Sequence, residues 1–412
     1  MSNLAICGGK AVRSQRFTKW PIVTDSQRQA LLEVYDSGQW GRSTEGFINR
    51  FEKAFSKTID TDECIAVTNG TAALEVALRA CGISGGDEVL LPAYTFVATA
   101  TSVLMNAAIP IFVDIDPDTL CLDPREIEKN ITEHTKAIIP VHLGGNVCDM
   151  EKIIQISHKY NLKIVEDACQ AHLAEWKEKR VGSFGDLGCF SFQSSKNMTS
   201  GEGGAIVGPS GKTIERCFSI QTCGREKGRA WYFHPHLGTN CRMTEFQAAI
   251  LLTQLHQAEK FTSIREKNAQ YLTERLADIN GLTTAKKYSS TTRHAYHIFI
   301  IQYDKDAFDG LKRDKFIEAL LKEGIPCQPG YTPLYKEGYL KETFQTPTFK
   351  KIYEEKYLQT YFDRISCPQT EKKCYDQSIW LPQQLLLGSK EDMDDVINAF
   401  EKIATNYREL LI

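Results

Sequence analysis

A single lysine, Lys196, leaves an apolar run amid hydroxyls, in Ser191-Phe192-Gln193-Ser194-Ser195-Lys196, and enters the glycine-rich stretch Gly201-Glu202-Gly203-Gly204. A lysine amine forms a Schiff base with an aldehyde when its pKa is lowered. The neighbouring hydroxyls can hold a phosphate. Upstream, Glu166-Asp167-Ala168-Cys169-Gln170 puts a carboxylate where a buried strand would end. Ligands gather at the strand C-termini of parallel sheets. A carboxylate there needs a cation or hydrogen bonds, and a protonated pyridine nitrogen would serve. Thr68-Asn69-Gly70-Thr71-Ala72-Ala73 is a small-residue turn opening a helix, where backbone N–H groups can bind phosphate. Leu237-Gly238-Thr239-Asn240-Cys241-Arg242-Met243 precedes a capped helix. Each segment alone has a plainer reading: a surface lysine, a capping aspartate, an ordinary strand-to-helix turn, a loop.

These segments need elements to position them. Between about residues 61 and 207, short apolar runs alternate with amphipathic stretches. The runs are 64–67, 88–91, 109–113, 137–141, 163–166, 189–192 and 205–207, and their continuous apolar character suits strands buried on both faces. Leu74, Ala77, Leu78 and Cys81 recur at helical spacing between the first two, and Asp149 can cap a helix holding Ile153, Ile154 and Ile156. The alternation predicts an α/β domain with a large, mostly parallel sheet. Thr244 and Gln247 make a capping box for a helix over about 244–260. Beyond it the rhythm changes: helix 315–323, strand-like pieces 296–302 and 378–381, and a last helix from about Ser389 with Met393, Val396, Ile397, Phe400 and Ile403 on one face. That predicts a smaller α+β C-terminal domain. The expected division is 22–258 and 259–412, with 1–21 packing near the small domain or over the active site.

Composition excludes several classes. The 412 residues carry a net charge of only −3 with both signs scattered, so no basic block points to nucleic acid or a membrane surface. No apolar run reaches bilayer-spanning length, and the first ten residues lack the pattern of a signal peptide. The 13 cysteines form no C-x-x-C pair, which favours buried reduced thiols in a cytoplasmic protein. Cys169 and His172 have C-x-x-H spacing without a second ligand pair, so no metal site is expected.

In this order and spacing the segments resemble the sugar aminotransferases of the DegT/DnrJ/EryC1/StrS family. The resemblance runs through Gly38-Gln39-Trp40, Asp87-Glu88-Val89, Pro92-Ala93-Tyr94-Thr95-Phe96, Pro140-Val141-His142-Leu143, the Asp167 and Lys196 motifs, Asn240-Cys241-Arg242-Met243-Thr244-Glu245 and Tyr331-Thr332-Pro333-Leu334. It implies the type I fold of pyridoxal-phosphate-dependent transferases and pyridoxal 5′-phosphate as cofactor. It implies that Lys196 forms the Schiff base and shuttles the proton, that Asp167 partners the pyridinium, and that Gln170 contacts the ring hydroxyl. Gly70, Thr71 and Ser191 match phosphate ligands, and Phe96 the stacked aromatic ring. Asn240 matches a phosphate ligand given to the neighbouring subunit, which implies a homodimer with shared sites.

One departure bears on the substrate. Many relatives using nucleotide-linked sugars read His-Leu-Tyr-Gly, whereas this chain reads His142-Leu143-Gly144-Gly145. Gln39-Trp40-Gly41-Arg42, Ser191-Phe192-Gln193 and Cys223-Gly224-Arg225 are similar instead to scyllo-inosose aminotransferases and 3-amino-5-hydroxybenzoate synthases. The expected reaction moves an amino group from glutamate or glutamine to a keto-cyclitol or keto-sugar, with Arg42 and Tyr331 as candidate substrate donors. An amino-shikimate aromatase and a cofactor-binding regulator without turnover are the alternatives. A dehydratase of this fold would carry histidine in place of Lys196.

Overall fold

Seven buried runs form one sheet: β1 Glu63–Val67, β2 Glu88–Pro92, β3 Ile109–Val113, β4 Thr135–Ile138, β5 Lys163–Asp167, β6 Leu187–Ser191 and β7 Gly204–Gly208. This architecture comes from a computed structural model that describes residues 3–411. Met1 and Ser2 of the 1–21 segment, and Ile412 of the C-terminal one, lie outside the described residues. The strand order is β1-β7-β6-β5-β4-β2-β3. All run parallel except β7, which is antiparallel to both neighbours. A parallel return needs a crossover of a dozen or more residues, usually helical; the segment 192–203 between β6 and β7 forms turns and no helix, and the chain doubles back. That doubling-back carries Lys196.

Alternate side chains along each strand point to opposite faces. On one face Leu90, Ile138, Ile164 and Phe190 pack under α1 Asp25–Ser37, α2 Phe47–Ile59 and a later helix, Met150–Tyr160. On the other, Val89, Leu91, Val165 and Cys189 pack under α3 Gly70–Ala80, α4 Val97–Met105 and the helix Lys212–Gln221. Both faces are therefore apolar, which is why the strands read as continuous hydrophobic runs.

The expected helix 244–260 is much longer in the structure: it is one 32-residue helix, Glu245–Leu276, opened by the Thr244–Gln247 capping box. Its first half adds Leu251 and Leu255 to the large-sheet core. Its second half adds Ala269, Leu272 and Leu276 to a separate core. The buried face turns from one core to the other along the helix, so a single helical stripe does not persist in the sequence. The expected 258/259 boundary falls inside this helix.

The second core lies around a three-stranded antiparallel sheet, β8 Leu282–Thr284, β9 Ile298–Tyr303 and β10 Ser378–Pro382. Phe299, Phe316, Leu381 and Phe400 fill it, the last from the C-terminal helix Lys390–Asn406. The N-terminal segment joins it: Leu4 is fully buried there, and Arg13 pairs with Asp392 and Asp395, both at 2.7 Å. Leu334, Phe344 and Phe349, by contrast, belong to the large-sheet core although they follow β9 in the chain. Among the described residues, no helix is long and apolar enough to cross a membrane.

Candidate active site

A cavity of about 990 Å³ opens where β5 and β6 end, between the large sheet and β10. Gly70, Thr71, Phe96, Asp167, Gln170, Ser191, Lys196 and Tyr331 all line it. The structure thus brings together eight of the residues singled out in the sequence. It does not bring Arg42 or Asn240 there.

At one end stands the start of α3. First-turn N–H groups have no intrahelical acceptor. The Asn69 side chain takes that of Ala72 at 2.8 Å and the Asn69 carbonyl takes that of Ala73 at 3.1 Å. Those of Gly70 and Thr71 remain for an anion. Space explains the glycine: a Cβ on Gly70 would lie 2.6 Å from Ser191 Cβ. The hydroxyl of Ser191 therefore sits directly against the helix start.

Asp167 is buried at the end of β5. Its Oδ2 accepts a hydrogen bond from Thr99 Oγ1 at 2.8 Å, and its Oδ1 accepts one from Cys169 N–H at 3.2 Å. Burial lowers the pKa of the Lys196 amine below that of an ordinary lysine, against the opposing pull of Cys169 and Asp167. A lowered pKa is what an amine needs to act as a nucleophile and proton carrier near neutral pH. Phe96 stays half exposed at the cavity wall, its ring 6.2 Å from that of Tyr331.

Gln170 bridges two elements. Its Oε1 accepts from Gly144 N–H at 2.8 Å, and its Nε2 donates to Tyr331 Oη at 3.1 Å. Tyr331 is also packed edge-on against Trp380, with ring centroids 4.7 Å apart. Its hydroxyl accepts from Gln170 and so keeps its own proton to donate into the cavity.

One expectation needs correction. Arg42 is not a donor to its own chain's cavity: it is fastened to Glu52 at 2.5 Å and to Asn49 Oδ1 at 2.7 Å. Glu52 in turn accepts from Ala66 N–H of β1, so the guanidinium clamps α2 to the sheet. The glycine at 144 leaves no extra room in the cavity. It is buried, and a Cβ there would meet Ile298 O and Ile300 Cδ1, both at 3.3 Å, so β9 fills the space a larger side chain would need. Trp40 likewise packs on Tyr35 and Phe246 and does not line the cavity.

The donor set matches one kind of group. An N–H and hydroxyl cradle suits a phosphate, a buried carboxylate suits a protonated ring nitrogen, an aromatic side wall suits a flat ring, and an amine of lowered pKa suits an aldehyde. Among the described residues no cluster of His, Cys, Asp or Glu is arranged to hold a metal ion.

The sequence profile of the DegT/DnrJ/EryC1/StrS aminotransferase family matches residues 21–401. The chain belongs to this family. It is an aminotransferase of the pyridoxal-phosphate-dependent, type I fold. An L-glutamine:2-deoxy-scyllo-inosose aminotransferase of Streptoalloteichus tenebrarius is 34% identical over 99% of both chains. The crystal structure of 3-amino-5-hydroxybenzoic acid synthase superposes with a TM-score of 0.84 at 30% identity, covering 96% of this chain and all of that one. NtdA of Bacillus subtilis, solved with the cofactor PMP bound, superposes at 0.79 with 26% identity, covering 96% of this chain and 87% of its own.

Two residues that line the cavity and one that stands behind it carry no signal in the sequence. Thr99 lies in the first turn of α4 and Thr95 just before the helix N-cap, with their hydroxyls 3.0 Å apart, but nothing local ties them to Asp167. His297 comes just before β9 and Trp380 from β10, and no signal near either points to the cavity.

Proposed function

We propose that this aminotransferase carries an amino group from L-glutamine or L-glutamate to a small keto-cyclitol. The observation carrying this reading is the meeting of Lys196, Asp167 and the Gly70–Ser191 cradle in one cavity, in a chain similar to an L-glutamine:2-deoxy-scyllo-inosose aminotransferase over nearly its full length.

Within that reading each residue has a task. When bound, pyridoxal phosphate supplies the electron sink on which the amino group is parked between the two substrates. Gly70 N–H, Thr71 and Ser191 Oγ hold its phosphate. Asp167, fixed by Thr99, holds the proton on the ring nitrogen. Phe96 covers a face of the ring. Lys196 Nζ would hold the cofactor's aldehyde carbon covalently and, as a free amine of lowered pKa, would be the base that accepts the proton from the donor's α-carbon and holds it as an ammonium. Gln170 has both ends of its amide engaged, so it serves first to hold Tyr331 over the cavity.

The working unit in this proposal is a homodimer. Asn240 is exposed, outside its own chain's cavity, and among the described residues its side chain accepts only a long 3.4 Å bond from Arg242 N–H. The nearby segment exposes Trp231 and Tyr232, apolar surface that suits a second copy of the chain. We propose the large and small units described above as its two domains, joined through the helix Glu245–Leu276.

The test is a product assay. Cofactor-loaded enzyme is given L-glutamine with 2-deoxy-scyllo-inosose, an amino-shikimate and a panel of nucleotide keto-sugars, and new amines are identified by mass spectrometry. The proposal expects the highest kcat/KM for the keto-cyclitol. A nucleotide keto-sugar winning by a wide margin, or aromatisation of the amino-shikimate, would overturn it.

A further inference from the structure

His297, the residue just before β9, lines the same cavity and has no part in holding the cofactor. Its protonation can be read from its neighbours. Asn197, the residue after the cofactor lysine, is buried and donates through Nδ2 to Ala295 O at 2.7 Å. That bond fixes which way the amide faces, because the reverse orientation would set two carbonyl oxygens against each other. Asn197 Oδ1 therefore points to His297 Nδ1, 3.3 Å away, and an oxygen acceptor there requires Nδ1 to carry the proton. Nε2 is left as a bare lone pair, and no hydrogen-bond partner for it is found among the described residues.

The ring stays neutral in this tautomer. Burial, first of all, and then the positive charges of Lys196 and Arg265 drive the His297 pKa well below its ordinary value. Such an imidazole is a poor base for a proton and a permanent acceptor for a hydrogen bond. The backbone invests in the placement: Tyr296, just before it, holds φ +47°, and Gly145 lies so close that a Cβ would come within 2.7 Å of Tyr296 N.

We propose that His297 is a substrate-binding residue whose Nε2 accepts a hydrogen bond from a hydroxyl of the acceptor ring. This rests on the keto-cyclitol reading above. The chemistry selects the hydroxyl. A bare lone pair repels the donor's carboxylates, and a keto carbonyl has no proton to give it. A polyol ring offers a donor at nearly every carbon. Tyr331, with its proton to spare, supplies the opposite function across the cavity, so a hydroxyl-rich ring meets both an acceptor and a donor. A site built this way rejects rings that lack the hydroxyl, because the buried lone pair is then left unpaired.

The experiment separates the two half-reactions in the holoenzyme, using His297→Phe, which keeps a flat ring and removes the acceptor. The expected result is donor turnover with L-glutamine within about threefold of wild type, and kcat/KM for 2-deoxy-scyllo-inosose down about 10- to 100-fold, mostly through KM. Binding of the unreactive polyol scyllo-inositol to the wild-type and variant holoenzymes, read by calorimetry, should weaken by a similar factor. If the phenylalanine variant does not fold, His297→Leu is held to the same ratios. An unchanged acceptor KM, or an equal loss in the donor half-reaction, overturns the assignment. A wild-type enzyme that aminates no keto-cyclitol instead overturns the functional reading, and the two failures are told apart by the wild-type arm.

Discussion

Thr99 Oγ1 donates to Asp167 Oδ2 at 2.8 Å, with Thr95 Oγ1 a further 3.0 Å behind it. The proton of Thr99 is committed to the carboxylate, so Thr95 must donate to Thr99. All three groups are buried. Two hydroxyls in series polarise one another and hold the negative charge on Asp167 more firmly than either alone. Asp167→Asn removes that charge, and its expected cost is on the order of 10²-fold or more in the donor half-reaction. Thr99→Val leaves the charge but loosens it, with an expected loss of about tenfold and weaker cofactor affinity; Thr99→Ser should restore both. Stopped-flow half-reactions and cofactor titration of the apoenzyme check this. Wild-type values for Thr99→Val would show that the hydroxyl chain is packing alone.

Lys196→Ala should fold, bind pyridoxal phosphate weakly and lose sustained turnover. Borohydride reduction of the wild-type holoenzyme followed by peptide mapping should find the cofactor on Lys196. Recovery on any other lysine contradicts the assignment.

Asn240 and Lys196 variants should complement each other. In a mixed dimer with shared sites, one site regains both intact residues while the other carries both defects. Subunits of two inactive variants, Asn240→Ala and Lys196→Ala, are exchanged and heterodimers verified by native mass spectrometry. Transamination should then exceed that of either parent. No gain would mean that Asn240 serves its own chain.

Arg42→Ala should act on stability rather than on substrate. The clamp to Glu52 and Asn49 is partly buried, and losing hydrogen bonds of this charged kind costs on the order of 1–3 kcal/mol. Denaturant unfolding should register that loss while the KM values for donor and acceptor stay unchanged. A raised acceptor KM with unaltered stability would return Arg42 to the binding site, through the partner's cavity.

Acid should destabilise the fold through buried histidines. Burial lowers the pKa of both His172 and His294 to about 3, while in the unfolded chain each titrates near 6.5. Above pH 6.5 both states are neutral at these positions and nothing is lost. Between 6.5 and about 3 the unfolded state binds the extra protons, so stability falls as pH falls, by about 1.4 kcal/mol per pH unit for each residue. His172 packs against the rings of Phe190 and Phe192, and among the described residues neither ring nitrogen has a hydrogen-bond partner within bonding geometry, so His172→Phe should flatten the slope by one proton. An identical slope in the variant, measured by urea unfolding from pH 7.5 to 5, would count against the buried neutral form.

The sequence by itself determined the local chemistry and its order. Strands buried on both faces must be apolar throughout, which made the large sheet legible. Lys196, Asp167 and the Gly70 turn sit at strand ends and helix starts, where local pattern and function coincide. The family motifs added Phe96, Gln170 and Ser191, and the cavity holds them all. Tertiary structure alone decided what crosses between segments far apart in the chain. The sequence could offer Arg42 as a substrate donor, but only the fold hands it to Glu52. It could note a small residue at Gly144, but only the packing of Ile298 and Ile300 fills that space. It could cap a helix at Thr244 but not extend it to Leu276, because the stripe rotates between two cores that the sequence does not reveal. Thr99 reaches Asp167 and His297 reaches Asn197 across 68 and 100 residues. Periodicity reports which side of its own element a residue lies on; which distant group meets it there is set by how the elements pack.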